Sequence, residues 1–186
     1  MSVQVEKWFF TVDEYHRMSE AGILSETDRV ELIDGEIIKM SPIGKRHAAC
    51  VKRLNSALNR KVSDYAIVSV QDPVRLDDYS EPEPDIALLK PRDDFYAQAL
   101  LTAEDVLLII EVADPSVEYD RDVKLPLYAK AGIPETWLAN IREDRIETYS
   151  EPANGVYQKV RLVNREGSIL PEALPALVIT VEEILG

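Results

Sequence analysis

The chain of 186 residues is long enough for one domain with a sizeable core, and its apolar fraction of 46% is ordinary for a globular protein. Its formal net charge of −13 argues against general binding to nucleic acid, and no apolar run approaches the ~20 residues that cross a bilayer. A single cysteine, Cys50, excludes an internal disulfide, and with only two histidines it excludes a structural zinc site of the Cys/His kind.

The first third of the chain predicts a helix, a hairpin and a second helix. Residues 11–22 begin with a threonine cap and end at a glycine, as a short helix does. Residues 29–40 contain Asp34-Gly35 between apolar segments, which is the strongest short hairpin signal. Residues 47–62 place apolar side chains near helical spacing, with most basic residues on the other side.

The basic residues are concentrated in one segment. Seven basic and no acidic residues lie between Lys39 and Lys61, which leaves 14 basic against 34 acidic residues elsewhere. The segment forms either a solvated helix face that acidic neighbours balance, or a surface that contacts phosphate. The second interpretation predicts five contact residues: Lys45, Arg46, His47, Lys52 and Arg53. His47 is alternatively a helix cap or an exposed side chain.

The remaining sequence predicts a sheet interrupted by one helix. Segments 65–76, 84–89 and 106–114 predict strands, and residues 117–132 predict a helix. Pro126 should break or delay the first turns of that helix because it has no N–H. TWLANIRE, RIETYSE and YQKVRLVN predict successive antiparallel strands, and PALVITVEEILG predicts a strand or turn with a closing helical turn. This order indicates one α+β or mixed α/β domain over residues 1–186, with a central mixed sheet flanked by helices.

One carboxylate stands in an unfavourable position. Glu111 lies within LLIIEVAD, residues 107–114, a segment apolar enough to be buried on both faces of a sheet. An ionised carboxylate there costs on the order of several kcal/mol unless it is compensated. The compensating group is an Arg or Lys, a proton or a metal ion. Any metal would have oxygen ligands, which favours Mg²⁺ or Mn²⁺.

Other polar residues are placed to converge on Glu111. Asp85 follows Pro84 at the start of an apolar strand, so pairing of the two strands would bring both carboxylates to one point and favour a divalent cation between them. Glu31 is a third acid in an apolar context, and Gln71 ends the strand before Asp85. Alternatively, Asp85 is a turn acid, and Glu31 pairs with Arg29 or a cross-strand lysine.

A lysine belongs to the same pattern. Asp120, Lys124 and Tyr128 are four residues apart, on one helix face if the helix is unbroken. Alone, Asp120 and Lys124 form a surface ion pair more often than a site.

These residues resemble a known family. Pro84-Asp85 followed by Glu111 is similar to the PD-(D/E)XK nuclease signature, and the fuller set is similar to the Uma-type restriction endonuclease family from about residue 9 to the C-terminus. The fuller set comprises VELIDGE, SP with a following His47, EPDIA, IEVADPS and D-x-x-x-K-x-x-x-Y-A-x-x-G-I-x-E-x-W.

The resemblance implies a restriction-endonuclease-like core with Asp85 and Glu111 binding Mg²⁺ or Mn²⁺. It also implies Glu31 as an additional acid and Lys124 as the catalytic lysine. From their places in the sequence we expect Gln71, Asp120 and Tyr128 to support these residues. One position departs from the signature, since Ala113 stands where the third signature residue is lysine. Lys124 would supply that charge from the following helix.

The predicted activity is metal-dependent hydrolysis of phosphodiester bonds in DNA. Two alternatives remain open. The chain is a catalytically silent nuclease-fold module that binds nucleic acid or protein, or Glu111 pairs with Lys124 or an arginine without any metal. We also expect a homodimer, no membrane partner and a cytoplasmic location, since the first ten residues lack a signal-peptide layout.

Overall fold

The computed structural model describes residues 6–25 and 27–186, so residues 1–5 and Glu26 of the predicted domain lie outside the described part. The elements follow one another in this order: α1 (Val12–Glu20), β1 (Val30–Ile33), β2 (Glu36–Lys39), α2 (Lys45–Val62), β3 (Ile67–Ser69), β4 (Ile86–Leu89), β5 (Val106–Ala113), α3 (Val117–Tyr119), a π-helical turn (Asp120–Lys124), α4 (Leu125–Lys130), β6 (Glu135–Asn140), β7 (Arg145–Ala153), β8 (Val156–Asn164), β9 (Ser168–Ile169), β10 (Ile179–Thr180) and α5 (Val181–Leu185). No helix among the described residues is both long and apolar enough to span a bilayer.

A six-stranded mixed sheet organises the fold. Its order is β3-β4-β5-β6-β7-β8, and every neighbouring pair is antiparallel except β5 and β6. Parallel strands need a long crossover, and the helical segment 117–130 provides it between β5 and β6. The predicted fold class, a mixed sheet flanked by helices, is confirmed.

Strand β5 is buried on both faces because helices cover each side of the sheet. Leu108, Ile110 and Val112 join a core cluster with the apolar side of α2. Because side chains alternate along a strand, Ile109, Glu111 and Ala113 point to the other face. There the crossover helix contributes Val117 and Tyr128 to the buried clusters. Glu111 therefore faces the helix that follows its own strand.

The predicted first helix and hairpin are confirmed. Thr11 caps α1, and its side chain accepts a hydrogen bond from the Glu14 N–H while Glu14 bonds back to the Thr11 N–H. The turn between β1 and β2 has φ of 47° at Asp34 and 77° at Gly35. Two positive φ values are what a tight two-residue hairpin turn requires, and Asp-Gly supplies them with little strain.

Two sequence predictions need correction. The predicted strand at 65–76 is shortened to Ile67–Ser69, because Gln71 adopts a positive φ of 57° that ends the extended backbone. The predicted helix is not broken before Pro126. Instead the turn Asp120–Lys124 widens to π geometry, and Pro126 lies in the first turn of α4, where its missing N–H is tolerated.

Candidate active site

Glu111 is held by a base and a hydroxyl. The side chain is buried, with 4% of the residue exposed. The Lys124 ammonium lies 3.2 Å from Glu111 Oε1, and the Tyr128 hydroxyl donates to the same oxygen at 2.6 Å. The other oxygen, Oε2, lies 3.4 Å from the backbone N of Asp85. One carboxylate oxygen is thus neutralised, and the other faces Asp85.

Asp85 is brought to Glu111 by the register of the sheet. Strands β4 and β5 are antiparallel, and Ile86 pairs with Ile110, so the residue before Ile86 meets the residues after Ile110. The Val112 N–H accordingly donates to Asp85 Oδ2 at 3.0 Å. The predicted convergence of the two carboxylates is confirmed as geometry.

Two further side chains hold the Asp85 carboxylate. His47 Nε2 lies 2.9 Å from Asp85 Oδ2, and the Gln71 amide donates to Asp85 Oδ1 at 3.2 Å. The left-handed backbone of Gln71 marks the place where its segment leaves the sheet. His47 is therefore neither a helix cap nor an exposed side chain. Its imidazole contacts the Asp85 carboxylate instead.

Glu31 lies on the opposite side of the lysine from Glu111. Its Oε2 is 3.0 Å from the Lys124 ammonium and accepts a bond from the Glu83 N–H at 3.3 Å. A bridge between Leu32 and Glu81 fixes the hairpin against the segment that leads into β4. Lys124 thus lies between two buried carboxylates. The base that pairs with Glu31 is this lysine of the crossover helix, and not Arg29 or a cross-strand lysine.

Asp120 is buried as well, rather than part of a surface ion pair. Only 5% of the residue is exposed, and Ser116 donates to its carboxylate at 2.7 Å. Despite the π-helical turn, Asp120 and Lys124 both line the cleft described below, and Tyr128 contacts Glu111 from the next turn. The spacing of four therefore predicted the shared face correctly.

Most of these groups, though not Gln71 or Tyr128, line a cleft of about 610 Å³. Its acidic residues are Glu31, Glu83, Asp85, Glu111, Asp114 and Asp120, its basic residues are Arg29, Lys39, Lys124 and Arg142, and His47 and Tyr119 also line it. Acidic residues outnumber basic ones, so the cleft favours cations at its floor.

Burial and this excess of acid shift the pKa values of the cluster. Burial, reinforced by Asp120 and Asp85 and opposed by Lys124, raises the pKa of Glu111 to about 8. Burial is also the main cause that raises the pKa of Asp120 to about 6. Burial alone would lower the pKa of Lys124, but Glu111 and Glu31 raise it well above its ordinary value. The lysine is consequently a cation at neutral pH, whereas Glu111 holds a proton in part.

The predicted phosphate contacts are only partly brought to this cleft. His47 lines it, whereas Lys45, Arg46, Lys52 and Arg53 lie along α2 outside its lining. Arg46 donates to the backbone oxygen of Ile141 at 3.0 Å.

Besides Lys124, the basic residues that line the cleft are Arg29, Lys39 and Arg142, none of which was predicted as a contact residue. Lys39 begins the basic segment noted in the sequence, whereas Arg29 and Arg142 are single charges in separate segments, with no pattern that could have linked them.

A second missed feature anchors the π-helical turn to the sheet. Arg121, inside that turn, donates to Glu147 of β7 at 2.7 Å. Glu147 is 2% exposed and also accepts bonds from Arg145, Asn140 and Tyr149. A carboxylate with four partners holds the turn that carries Asp120 and Lys124 in one orientation.

The donor set fits a hard divalent cation with few protein ligands. Among the described residues no group of three or more His, Cys, Asp or Glu side chains has the arrangement of a metal site. Asp85 and Glu111 offer neighbouring carboxylates in this cleft, and Mg²⁺ is often held by one or two carboxylates while it keeps several waters. Burial is the main cause of the raised pKa of Glu111, with Asp120 and Asp85 adding to it, and a bound cation would oppose these effects.

Comparison with curated proteins gave no match. Among solved structures, the chain is similar to a crystal structure described as "a putative nuclease belonging to DUF820 from Anabaena variabilis ATCC 29413", with a TM-score of 0.75 and 20% identity over 95% of this chain and 97% of that chain. This likeness shows the fold alone. A second structure with partial similarity is the type IIG restriction endonuclease BpuSI, at a TM-score of 0.39 and 19% identity over 62% of this chain and 13% of that chain.

The observed fold, a mixed sheet flanked by helices, agrees with the fold that the sequence resemblance implies. The family Uma2, described as "Putative restriction endonuclease", matches residues 12–182, and the chain therefore belongs to the Uma2 family.

Proposed function

We propose that the protein is a metal-dependent endonuclease that hydrolyses phosphodiester bonds in DNA. The observation that carries the proposal is the meeting of Asp85, Glu111 and Lys124 in one cleft, with the lysine ammonium 3.2 Å from Glu111. Membership of the Uma2 family supports it. Buried acids beside a fixed cation, in a cleft, are typical of a site that handles charge in a reaction.

Asp85 and Glu111 would hold Mg²⁺ or Mn²⁺. The ion supplies a Lewis acid and lowers the pKa of a bound water. The protein keeps both carboxylates in place, since His47 and Gln71 bind Asp85 and Tyr128 binds Glu111. Because its pKa is raised, Glu111 holds a proton when no cation is bound, and a bound cation would displace that proton.

Lys124 would stabilise the negative charge that develops on the phosphate. Its ammonium is fixed between Glu31 and Glu111, at 3.0 and 3.2 Å, so little reorganisation is needed when charge appears. This lysine fulfils from the crossover helix the role that Ala113 cannot fulfil from the strand. The hydrogen bond that Ser116 donates to Asp120 limits the conformations of the turn that carries Lys124.

The basic residues around the cleft would hold the DNA backbone. Arg29, Lys39 and Arg142 line the cleft directly, and the α2 residues Lys45, Arg46, Lys52 and Arg53 extend the basic surface beyond it. Binding through these contacts should weaken as salt rises, because each neutralised phosphate releases counterions.

The test is cleavage of supercoiled plasmid and of labelled oligonucleotides with Mg²⁺ or Mn²⁺. We expect nicking by the parent and its loss in Asp85→Asn and Lys124→Ala. Lys159→Ala is the matched control, because Lys159 is half-exposed on β8 and pairs only with Glu151 and Glu172. Calorimetric titration of Mn²⁺ into the parent and Asp85→Asn should show weaker binding by the variant. Equal binding, or nicking that survives both substitutions, contradicts the proposal.

A second candidate is a nuclease-fold module without turnover that binds nucleic acid or protein. Two observations favour it: Ala113 replaces the signature lysine, and Lys124 with Tyr128 already satisfies one oxygen of Glu111. This candidate predicts retention of DNA in a gel-shift assay without any metal-dependent nicking. A purely structural Glu111–Lys124 pair predicts instead that Glu111→Gln changes stability and leaves metal binding unchanged.

We also propose a homodimer and a cytoplasmic location. Light scattering at micromolar concentration should give twice the monomer mass of 21.0 kDa. A monomeric mass under these conditions contradicts the dimer.

A further inference from the structure

Tyr119 carries a hydroxyl that the fold does not satisfy. The residue ends α3, immediately before the π-helical turn, and lines the acidic cleft. Its hydroxyl is shielded from solvent and has no hydrogen-bond partner among the described residues. Among the described residues, His47 Nδ1 is the other buried side-chain N or O atom without a hydrogen-bond partner, and His47 lines the same cleft.

Other tyrosines that are at least partly buried are satisfied. Tyr15 donates to the backbone oxygen of Val30, Tyr128 to Glu111, and Tyr149 to Glu147. An unmade hydrogen bond in a buried place costs stability, so such a group indicates a role outside the folded chain itself. Unlike these tyrosine hydroxyls, the Tyr119 hydroxyl has no hydrogen-bond partner among the described residues.

The surroundings leave Tyr119 as a donor without an acceptor. Burial, and after it Glu31, raise the pKa of Tyr119 to about 12, so the hydroxyl keeps its proton at neutral pH. The nearby carboxylates have other donors, since Glu31 binds Lys124 and Asp120 binds Ser116. A ligand for this hydroxyl must therefore bring its own acceptor, and phosphate oxygens only accept hydrogen bonds.

We propose that Tyr119 is a further substrate-contacting residue, whose hydroxyl donates a hydrogen bond to a non-bridging oxygen of the bound phosphodiester. The inference rests on the proposed function and adds to it a residue that the family motifs do not include. Because the hydroxyl is covered in the free protein, the neighbouring cleft wall must shift slightly when phosphate enters. The hydrogen bond then forms only in the complex, so the free protein bears the free-energy cost of an unsatisfied buried hydroxyl.

Tyr119→Phe tests this because it removes one oxygen and leaves the ring. With no bond lost in the free protein, the melting temperature should equal or exceed that of the parent. The rate of plasmid nicking with Mg²⁺ should fall about 10- to 100-fold, as for one bond to a charged acceptor. Tyr157→Phe is the matched control, because the Tyr157 hydroxyl bonds Thr136 and Ile133 and lies outside the cleft lining. It should lower the melting temperature and leave nicking unchanged.

Two results overturn the inference. A drop in melting temperature for Tyr119→Phe as large as that for Tyr157→Phe means that the hydroxyl is bonded within the fold. Unchanged nicking by Tyr119→Phe means that it does not contact the substrate.

If the parent cleaves nothing, the proposed endonuclease fails, and the inference is then tested by calorimetric titration of inorganic phosphate with Mg²⁺. Weaker binding by Tyr119→Phe than by the parent supports the phosphate contact. Equal binding, or no binding by the parent, overturns it.

Discussion

Replacing Glu111 with Gln should remove a pH dependence of stability that the parent carries. In the folded chain burial raises the pKa of Glu111 from 4.5 to about 8, and in the unfolded chain the value returns to 4.5. Between these values the folded state holds a proton that the unfolded state has lost. The free energy of unfolding therefore falls as pH rises through this window.

The magnitude follows from one proton. The slope is at most about 1.4 kcal/mol per pH unit, which amounts to roughly 1.5–2 kcal/mol between about pH 6.5 and 8. The neighbouring Asp120, with its pKa raised to about 6, adds a slope of the same sign mainly below this range. Lys124 stays charged in both states throughout the window, because its folded pKa lies above its ordinary value of 10.5. The upper range thus isolates Glu111.

Urea denaturation in EDTA at a series of pH values measures this difference. The parent should lose stability from about pH 6.5 to 8, and Glu111→Gln should lose much less. Glu151→Gln is the matched control, since Glu151 is exposed on β7 and should follow the parent. Parallel curves for the parent and Glu111→Gln would refute the reasoning that burial keeps a proton on Glu111.

The remaining predictions concern the scaffold. Arg121→Ala should lower the free energy of unfolding by about 1–3 kcal/mol, because it removes a donor from the buried Glu147. It should also reduce nicking more than Arg145→Ala, whose guanidinium bonds the same carboxylate from β7 without touching the π-helical turn; equal activities would argue against that anchoring role. Gly35→Ala should cost about 1–3 kcal/mol in the same urea assay, because alanine is strained at a φ of 77° and its Cβ would lie 2.6 Å from Phe9 Cβ; an unchanged midpoint would contradict the turn geometry.

The acids of the site could be found from the sequence because each one interrupts an apolar segment. Glu111 stands among leucine, isoleucine and valine, and Asp85 stands at the start of the preceding apolar strand, so their apolar surroundings made both conspicuous. Their meeting then required only that the two strands pair, and the register of Ile86 with Ile110 satisfies this. Local pattern and a single pairing were enough.

Other parts of the site depend on contacts that no local pattern encodes. Arg29 and Arg142 are more than a hundred residues apart and reach one cleft only through the hairpin and the end of β6. Glu147 binds Arg121 across the sheet, 26 positions away. The π-helical turn lies directly before the helical turn that contains Pro126. The length of the π segment depends on tertiary packing. The missing hydrogen bond of the Tyr119 hydroxyl likewise depends on the residues packed around it, and the local sequence does not predict it.

Ala113 gives the departure from the nuclease signature a physical meaning. Its side chain is fully enclosed, in a cluster with Val117 and Leu138. A lysine in its place would have to thread four methylenes and a charge through that cluster, so the end of β5 has no room for the signature ammonium. Restoring the standard motif would require smaller side chains around position 113, and Ala113→Lys alone should yield a poorly folded protein.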